Sequence, residues 1–219
     1  MELTTLKKIR MLYPGIYVII QAVFIWLSNS VDTDAAFRLM DFSLDKERVV
    51  PVLVVLIIGL LYYAFDCRSI LWKPIVNKVA RNINERLLTI AKEDTSKTLS
   101  GEQKNSIKNL FYHFIGKDET LKTKAQNVMF NGAVLTSVLD TIILSVPILF
   151  IEVCIAIVKR STLTWAFFVT LFLLLICTIT RPRLIKKHIA LSNDQLDYIN
   201  DNYVKECTDE IKKILKNEC

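Results

Sequence analysis

The sequence predicts an all-α integral membrane protein: four transmembrane helices in two hairpins, with a helical cytoplasmic insert and a C-terminal amphipathic helix. Three observations lead there. Of the 219 residues, 52% are hydrophobic, and they collect into apolar runs of bilayer length at 11–27, 49–65, 133–158 and 161–180. About 20 helical residues, at about 1.5 Å each, cross a hydrocarbon core of about 30 Å. The runs are continuous, without the period-two alternation of a membrane β-barrel. Outside them, apolar residues recur every three or four positions, the mark of amphipathic helices. The chain therefore divides into a first hairpin (1–65), an insert (66–131), a second hairpin (132–180) and a basic segment with a tail helix (181–219).

The first run follows Lys7, Lys8 and Arg10 and precedes Ser28 and Ser30. That arrangement is signal-peptide-like, and the segment is expected to stay on as an anchor. Tyr13, Tyr17 and Gln21 form a polar line along it, and Trp26 suits a membrane interface. The second run shows no polar face and is expected to meet lipid, with Tyr62 and Tyr63 as interfacial anchors.

Charge orients the spans. Residues 1–10 hold three bases and one acid, 29–48 three bases and five acids, and 66–131 twelve bases and seven acids. The positive-inside rule puts both termini and the insert in the cytoplasm, with Lys159–Arg160 as the one dissenting pair. Cys67, Cys207 and Cys219 fall on inner segments and Cys154 and Cys177 within spans, so no disulfide framework is implied. Neither a Cys/His cluster of metal-ligand spacing nor a nucleotide-cradling or nucleophilic catalytic motif occurs. A non-enzymatic protein without metal or cofactor is expected.

In the insert, Pro74 suits the start of a helix carrying Ile75, Val76, Val79, Ile83, Leu87 and Ile90 to about Ala91. Ser100 and Gln103 form a capping box ahead of Ile107, Leu110, Phe111, Phe114 and Ile115. Gly116 suits the C′ position, and Asp118 can cap a third helix leading to the third span. In the tail, Ser192 and Gln195 form a second capping-box pattern. Leu196, Ile199, Tyr203, Cys207, Ile211 and Ile214 then make one apolar stripe. A stripe of this kind needs a cover. The insert, a second subunit or a protein partner could supply it, and the expected role is a partner or oligomer face.

The third span carries the candidate site. On a helical wheel Ser137, Asp140, Thr141, Ser145 and Glu152 share one arc, and the opposite face is apolar. Ionised carboxylates at this depth cost about 2.5–3.5 kcal/mol each, so the arc must face protein or water. No Lys or Arg lies inside a span, so a pairing base has to reach in from an end. The arc could bind the bundle together, line a pore in an oligomer with two acidic rings about 18 Å apart, or mark a route within one subunit. After the fourth span Arg181, Arg183, Lys186 and Lys187 suit anionic lipid at the cytoplasmic face. Arg183 and His188 also have the Arg-x4-His spacing of HEPN-type ribonucleases, but the dispersed basic residues argue against nucleic-acid binding.

In size, span count and cytoplasmic bulk the chain resembles small multi-span subunits of bacterial anti-phage systems, such as the Kiwa membrane subunit and CRISPR-associated membrane effectors. The resemblance implies a bacterial inner-membrane protein, a tetramer-like homo-oligomer and a cytoplasmic effector partner. The expected function is a membrane sensor or ion-permeable effector in anti-phage defence. The alternative is a non-conducting anchor or scaffold that recruits a soluble protein.

Overall fold

A computed structural model describes residues 3–29, 49–95 and 99–216. The acidic loop expected at 29–48 lies almost wholly outside the described residues. These are all-α, without strands, and form six helices: α1 (Leu3–Asn29), α2 (Val49–Ala64), α3 (Ser69–Ile90), α4 (Gly101–Lys117), α5 (Glu119–Lys159) and α6 (Trp165–Lys216). Three of them, α1, α5 and α6, are long and apolar enough to cross a membrane. The chain forms two compact units, residues 1–71 with 133–182 and residues 72–132 with 183–219.

The first unit, the bundle, contains α1, α2 and the apolar stretches of α5 and α6. Its helices pack closely where side chains are smallest. A Cβ on Gly59 of α2 would lie 2.8 Å from the Met11 carbonyl of α1, so α2 is not lipid-facing all round as its sequence suggests. At the other end of α5 the Arg160 N–H bonds the Ile157 carbonyl and the Ser161 N–H the Ala156 carbonyl. That is the double bond of a Schellman stop, with Arg160 at φ 50° in the left-handed position.

The second unit, the helical module, is built from α3, α4, the start of α5 and the end of α6. Ser100 accepts from the Gln103 N–H at 3.1 Å, and Gln103 accepts from the Ser100 N–H at 3.0 Å, completing the expected capping box. Asp118 accepts from the Leu121 N–H at 2.9 Å and caps α5. Ile107, Phe111 and Phe114 of α4, Leu87 of α3 and Leu121 of α5 bury their side chains against Leu196, Ile199, Cys207 and Ile211 of α6. Tyr203 and Ile214 pack on the same core. The tail stripe of Leu196, Ile199, Tyr203, Ile211 and Ile214 is therefore not an open partner or oligomer face. The chain's own insert covers it, because the two stripes supply each other's missing apolar partner. Exposed pairs on the rim, Arg86–Asp197, Lys117–Glu206 and Lys124–Asp194, set register and add little stability.

Several expected boundaries move. The helix of Pro74 begins at Ser69, five residues earlier. Gly116 is not a helix stop. No described glycine has positive φ, α4 runs through Gly116 to Lys117 with Asp118 as its C-cap, and Lys92, at φ 58°, takes the left-handed position after α3. No new helix starts at Ser192, whose hydroxyl donates to the His188 carbonyl at 3.0 Å inside α6. A serine that satisfies its own hydroxyl four residues back needs no helix end. The span and the tail are thus stretches of one helix, interrupted only at Tyr203, where φ is −130° and ψ 19°.

That interruption is tied down locally. The Tyr203 hydroxyl donates to Asp118 at 2.8 Å, while its ring lies 5.5 Å from the Phe114 ring. The Leu121 N–H and the Tyr203 hydroxyl hold the Asp118 carboxyl below its usual range, and the same bond pushes the Tyr203 hydroxyl up. A carboxyl that titrates lower folded than unfolded stabilises the fold above about pH 4. This contribution is lost as pH falls through the folded value. The melting temperature of the module is expected to drop on acidification from about pH 5 to pH 3. The drop should be smaller in Asp118→Ala, as read by circular dichroism; an identical slope in both proteins would contradict it.

Candidate functional site

The polar arc of α5 does not face outward. Asp140 is 1% exposed, Thr141 4%, Ser145 0% and Glu152 5%. Ser137 is half-buried, with its hydroxyl on the Ala133 carbonyl at 3.2 Å. The polar line of α1 meets this arc residue by residue. Thr141 gives its own proton to the Ser137 carbonyl at 3.0 Å, so the Tyr13 hydroxyl, 2.7 Å away, donates to Thr141. One turn on, the Tyr17 and Ser145 hydroxyls lie 2.6 Å apart. Both contacts join residues 128 apart in sequence, so α1 and α5 run in the same direction in a shared register. The antiparallel α6 closes the far end, where the Ser28 hydroxyl donates to Thr164 at 3.1 Å and the Phe24 ring lies 5.5 Å from that of Trp165.

Asp140 has a base that the apolar spans themselves lack. Arg68, just beyond α2, approaches the carboxylate side-on, with Nε 2.8 Å from Oδ1 and Nη2 2.6 Å from Oδ2. The Tyr62 hydroxyl donates to Oδ1 at 2.8 Å. Arg68 Nη2 also donates to the Arg10 carbonyl at 2.9 Å. That carbonyl lies four residues before Pro14, inside α1. Proline has no N–H to return to it, and the guanidinium of Arg68 donates there instead. Two paired donors, a hydroxyl and a backbone acceptor make a charge-assisted network around a nearly dry carboxylate. A cavity of about 70 Å³ adjoins it between Arg10, Pro14, Gly59, Tyr62 and Arg68.

Glu152 sits twelve residues on, among different partners. Thr170 of α6 lies 3.3 Å from its Oε1 and 2.9 Å from Gln21 Oε1. Arg68, Tyr62 and Thr170 were not among the residues expected here. Arg68 could have been found as the first base after the second run, and Tyr62 lies six residues before it. Thr170 carries no signal in an apolar run.

The basic residues of α6 are solvent-facing for the most part. Arg181 is half-buried, whereas Arg183, Lys186 and Lys187 are exposed on neighbouring positions of the helix. His188 is half-buried against Gly132, with Asn131 Nδ2 3.4 Å from its Nδ1, and burial holds its pKa below the usual histidine range. Five positions separate it from Arg183, about 140° around a helix. Among the described residues no group of three His, Cys, Asp or Glu side chains could hold a metal ion. Compared with protein-family models, curated proteins and solved structures, the chain matches none.

Proposed function

We propose that this is a non-enzymatic protein of a bacterial inner membrane, a sensor or anchor whose bundle is closed at rest. Its helical module would engage a soluble partner. In this reading the chain crosses four times, with both termini and the module in the cytoplasm. The shared direction of α1 and α5 supports that count, since a chain crossing twice the same way has to return between, and α2 is the apolar helix available. The charge asymmetry of the flanking segments supports the orientation.

One observation carries the closed state. Asp140 is paired on both oxygens by Arg68 and Tyr62 of its own chain. A carboxylate lining an aqueous path would be hydrated rather than locked by a guanidinium. The second reading, an ion-permeable effector, is favoured by the continuity of the arc. From Asp140 to Glu152 it covers about 18 Å of helix, a polar track across much of the hydrocarbon core if the lock opened. The layout shared with anti-phage membrane subunits extends either reading to defence. A tetramer-like homo-oligomer, a cytoplasmic effector and anionic lipid beside Arg181, Arg183, Lys186 and Lys187 would be its partners.

Potassium efflux from liposomes containing the purified protein tests the choice. Wild type and Arg68→Gln are both expected to stay at the rate of empty liposomes. Efflux confined to Arg68→Gln would select the gated conductor, and efflux from wild type would overturn the closed state.

A further inference from the structure

The cavity beside the Asp140 network is walled by charge of both signs. Arg68 uses Nε and one Nη2 proton on the carboxylate of Asp140, and the other Nη2 proton on the Arg10 carbonyl. The two N–H groups of its Nη1 have no protein partner among the described residues. The Arg68 side chain is 18% exposed against 1% for Asp140, so the arginine is the member of the pair that reaches the cavity. Arg10 and Asp66 line the same space. Asp66 is exposed, and no side chain among the described residues pairs with its carboxylate. It sits at φ 45°, a left-handed position that aspartate tolerates. Its N–H donates to the Tyr63 carbonyl at 3.1 Å, and its carbonyl accepts from the Ser69 N–H at 2.9 Å. This tight turn fixes Asp66 relative to Arg68, two residues on and at most about 7 Å away along the backbone.

We propose that this cavity takes the headgroup of an aminophospholipid, with its phosphate on the guanidiniums of Arg68 and Arg10 and its primary ammonium on Asp66. Charge-assisted hydrogen bonds of these two kinds are the strong ones, and arginine suits phosphate oxygens in particular. The charge count selects a zwitterion. Arg10 and Arg68 already balance Asp140 and Asp66, so an anionic headgroup would add an excess charge and a zwitterionic one adds none. A single water needs about 10–15 Å³, so a cavity of about 70 Å³ admits a phosphate group but not a whole lipid. Met11 and Tyr63 on its wall are also exposed and offer acyl chains an apolar surface. A soluble phosphate compound would gain nothing from that surface, which favours a lipid as the source. The proposal rests on the bundle lying in a bilayer and is independent of whether it conducts.

Thermal unfolding of the full-length protein in a neutral detergent tests this. Phosphatidylethanolamine, phosphatidylcholine and phosphatidylglycerol with the same acyl chains are compared at fixed pH and equal mole fraction, alongside soluble phosphoethanolamine. Phosphatidylethanolamine at 100 times its half-saturating concentration is expected to raise the melting temperature by about 5 °C or more, saturably. Phosphatidylcholine, whose quaternary ammonium has no N–H to give Asp66, and phosphatidylglycerol, which has no ammonium, should raise it less. Asp66→Asn and Arg10→Gln should each lose the difference between the lipids. Asp201→Asn, exposed on the tail stretch of α6, should keep it. Equal shifts from the three lipids in wild type would overturn the proposal. A difference that persists in Asp66→Asn would do so too, and that exposed position decides the matter if Arg10→Gln does not fold. A full shift from soluble phosphoethanolamine alone would overturn the lipid as the source.

Discussion

Arg68→Met is expected to destabilise the bundle by about 3–5 kcal/mol, the usual cost of stripping one partner from a buried ion pair. Asp140 is 1% exposed and would keep the Tyr62 hydroxyl but lose both guanidinium donors. The Arg10 carbonyl would lose the donor that Pro14 cannot replace. The damage comes from what is left behind rather than from the attraction removed. Removing both charges should therefore be milder than removing one. Arg68→Met with Asp140→Leu removes both members of the pair and is expected to recover most of the loss, as apolar replacements of buried pairs often do. Denaturant titration in detergent, followed by tryptophan fluorescence, measures both proteins. A double variant as unstable as the single would mean that the pair does not carry the bundle.

Ile199→Asp is expected to unfold the helical module outright. Ile199 is 0% exposed in the core formed with α3, α4 and α5. An isolated carboxylate there finds no base, and the cost exceeds the few kcal/mol of a simple cavity. Ile199→Val provides the scale, at about 0.5–1.5 kcal/mol for one lost methylene. Limited proteolysis of the full-length protein should cut Ile199→Asp within α3 and α4 under conditions where Ile199→Val survives. If Ile199→Asp resisted protease like wild type and lost only its hold on another protein, the tail stripe would be a docking face after all.

The amphipathic faces were legible because each repeats a physical demand along the chain. Ile107, Leu110, Phe111 and Phe114 on one helix and Leu196, Ile199, Cys207 and Ile211 on another have to be covered, and spacing alone identifies them. The arc from Asp140 to Glu152 was legible for the opposite reason, since hydrocarbon penalises it. What covers what was not legible. Nothing in the spacing says that the tail lies on the insert, or that Tyr13 and Tyr17 answer Thr141 and Ser145 across 128 residues of sequence. Helix ends depart from the local pattern where one pattern has two outcomes. A serine three residues before a glutamine can open a helix, as Ser100 does, or sit within one, as Ser192 does. The difference lies in the backbone upstream, which at Ser192 is already helical. Gly116 likewise marks a stop only where the chain needs the left-handed region, and Lys92 and Arg160 fill that need instead.

Pro14 makes local regularity and long-range cohesion compete for a single oxygen. Were an alanine there, its amide would point at the carbonyl of Arg10, mend the turn, and dispute the place that Arg68 now occupies. A substitution that improves the helix as an isolated peptide would thereby weaken the clasp between two segments 58 positions apart. What looks like a flaw in α1 is the reason the loop after α2 has somewhere to fasten.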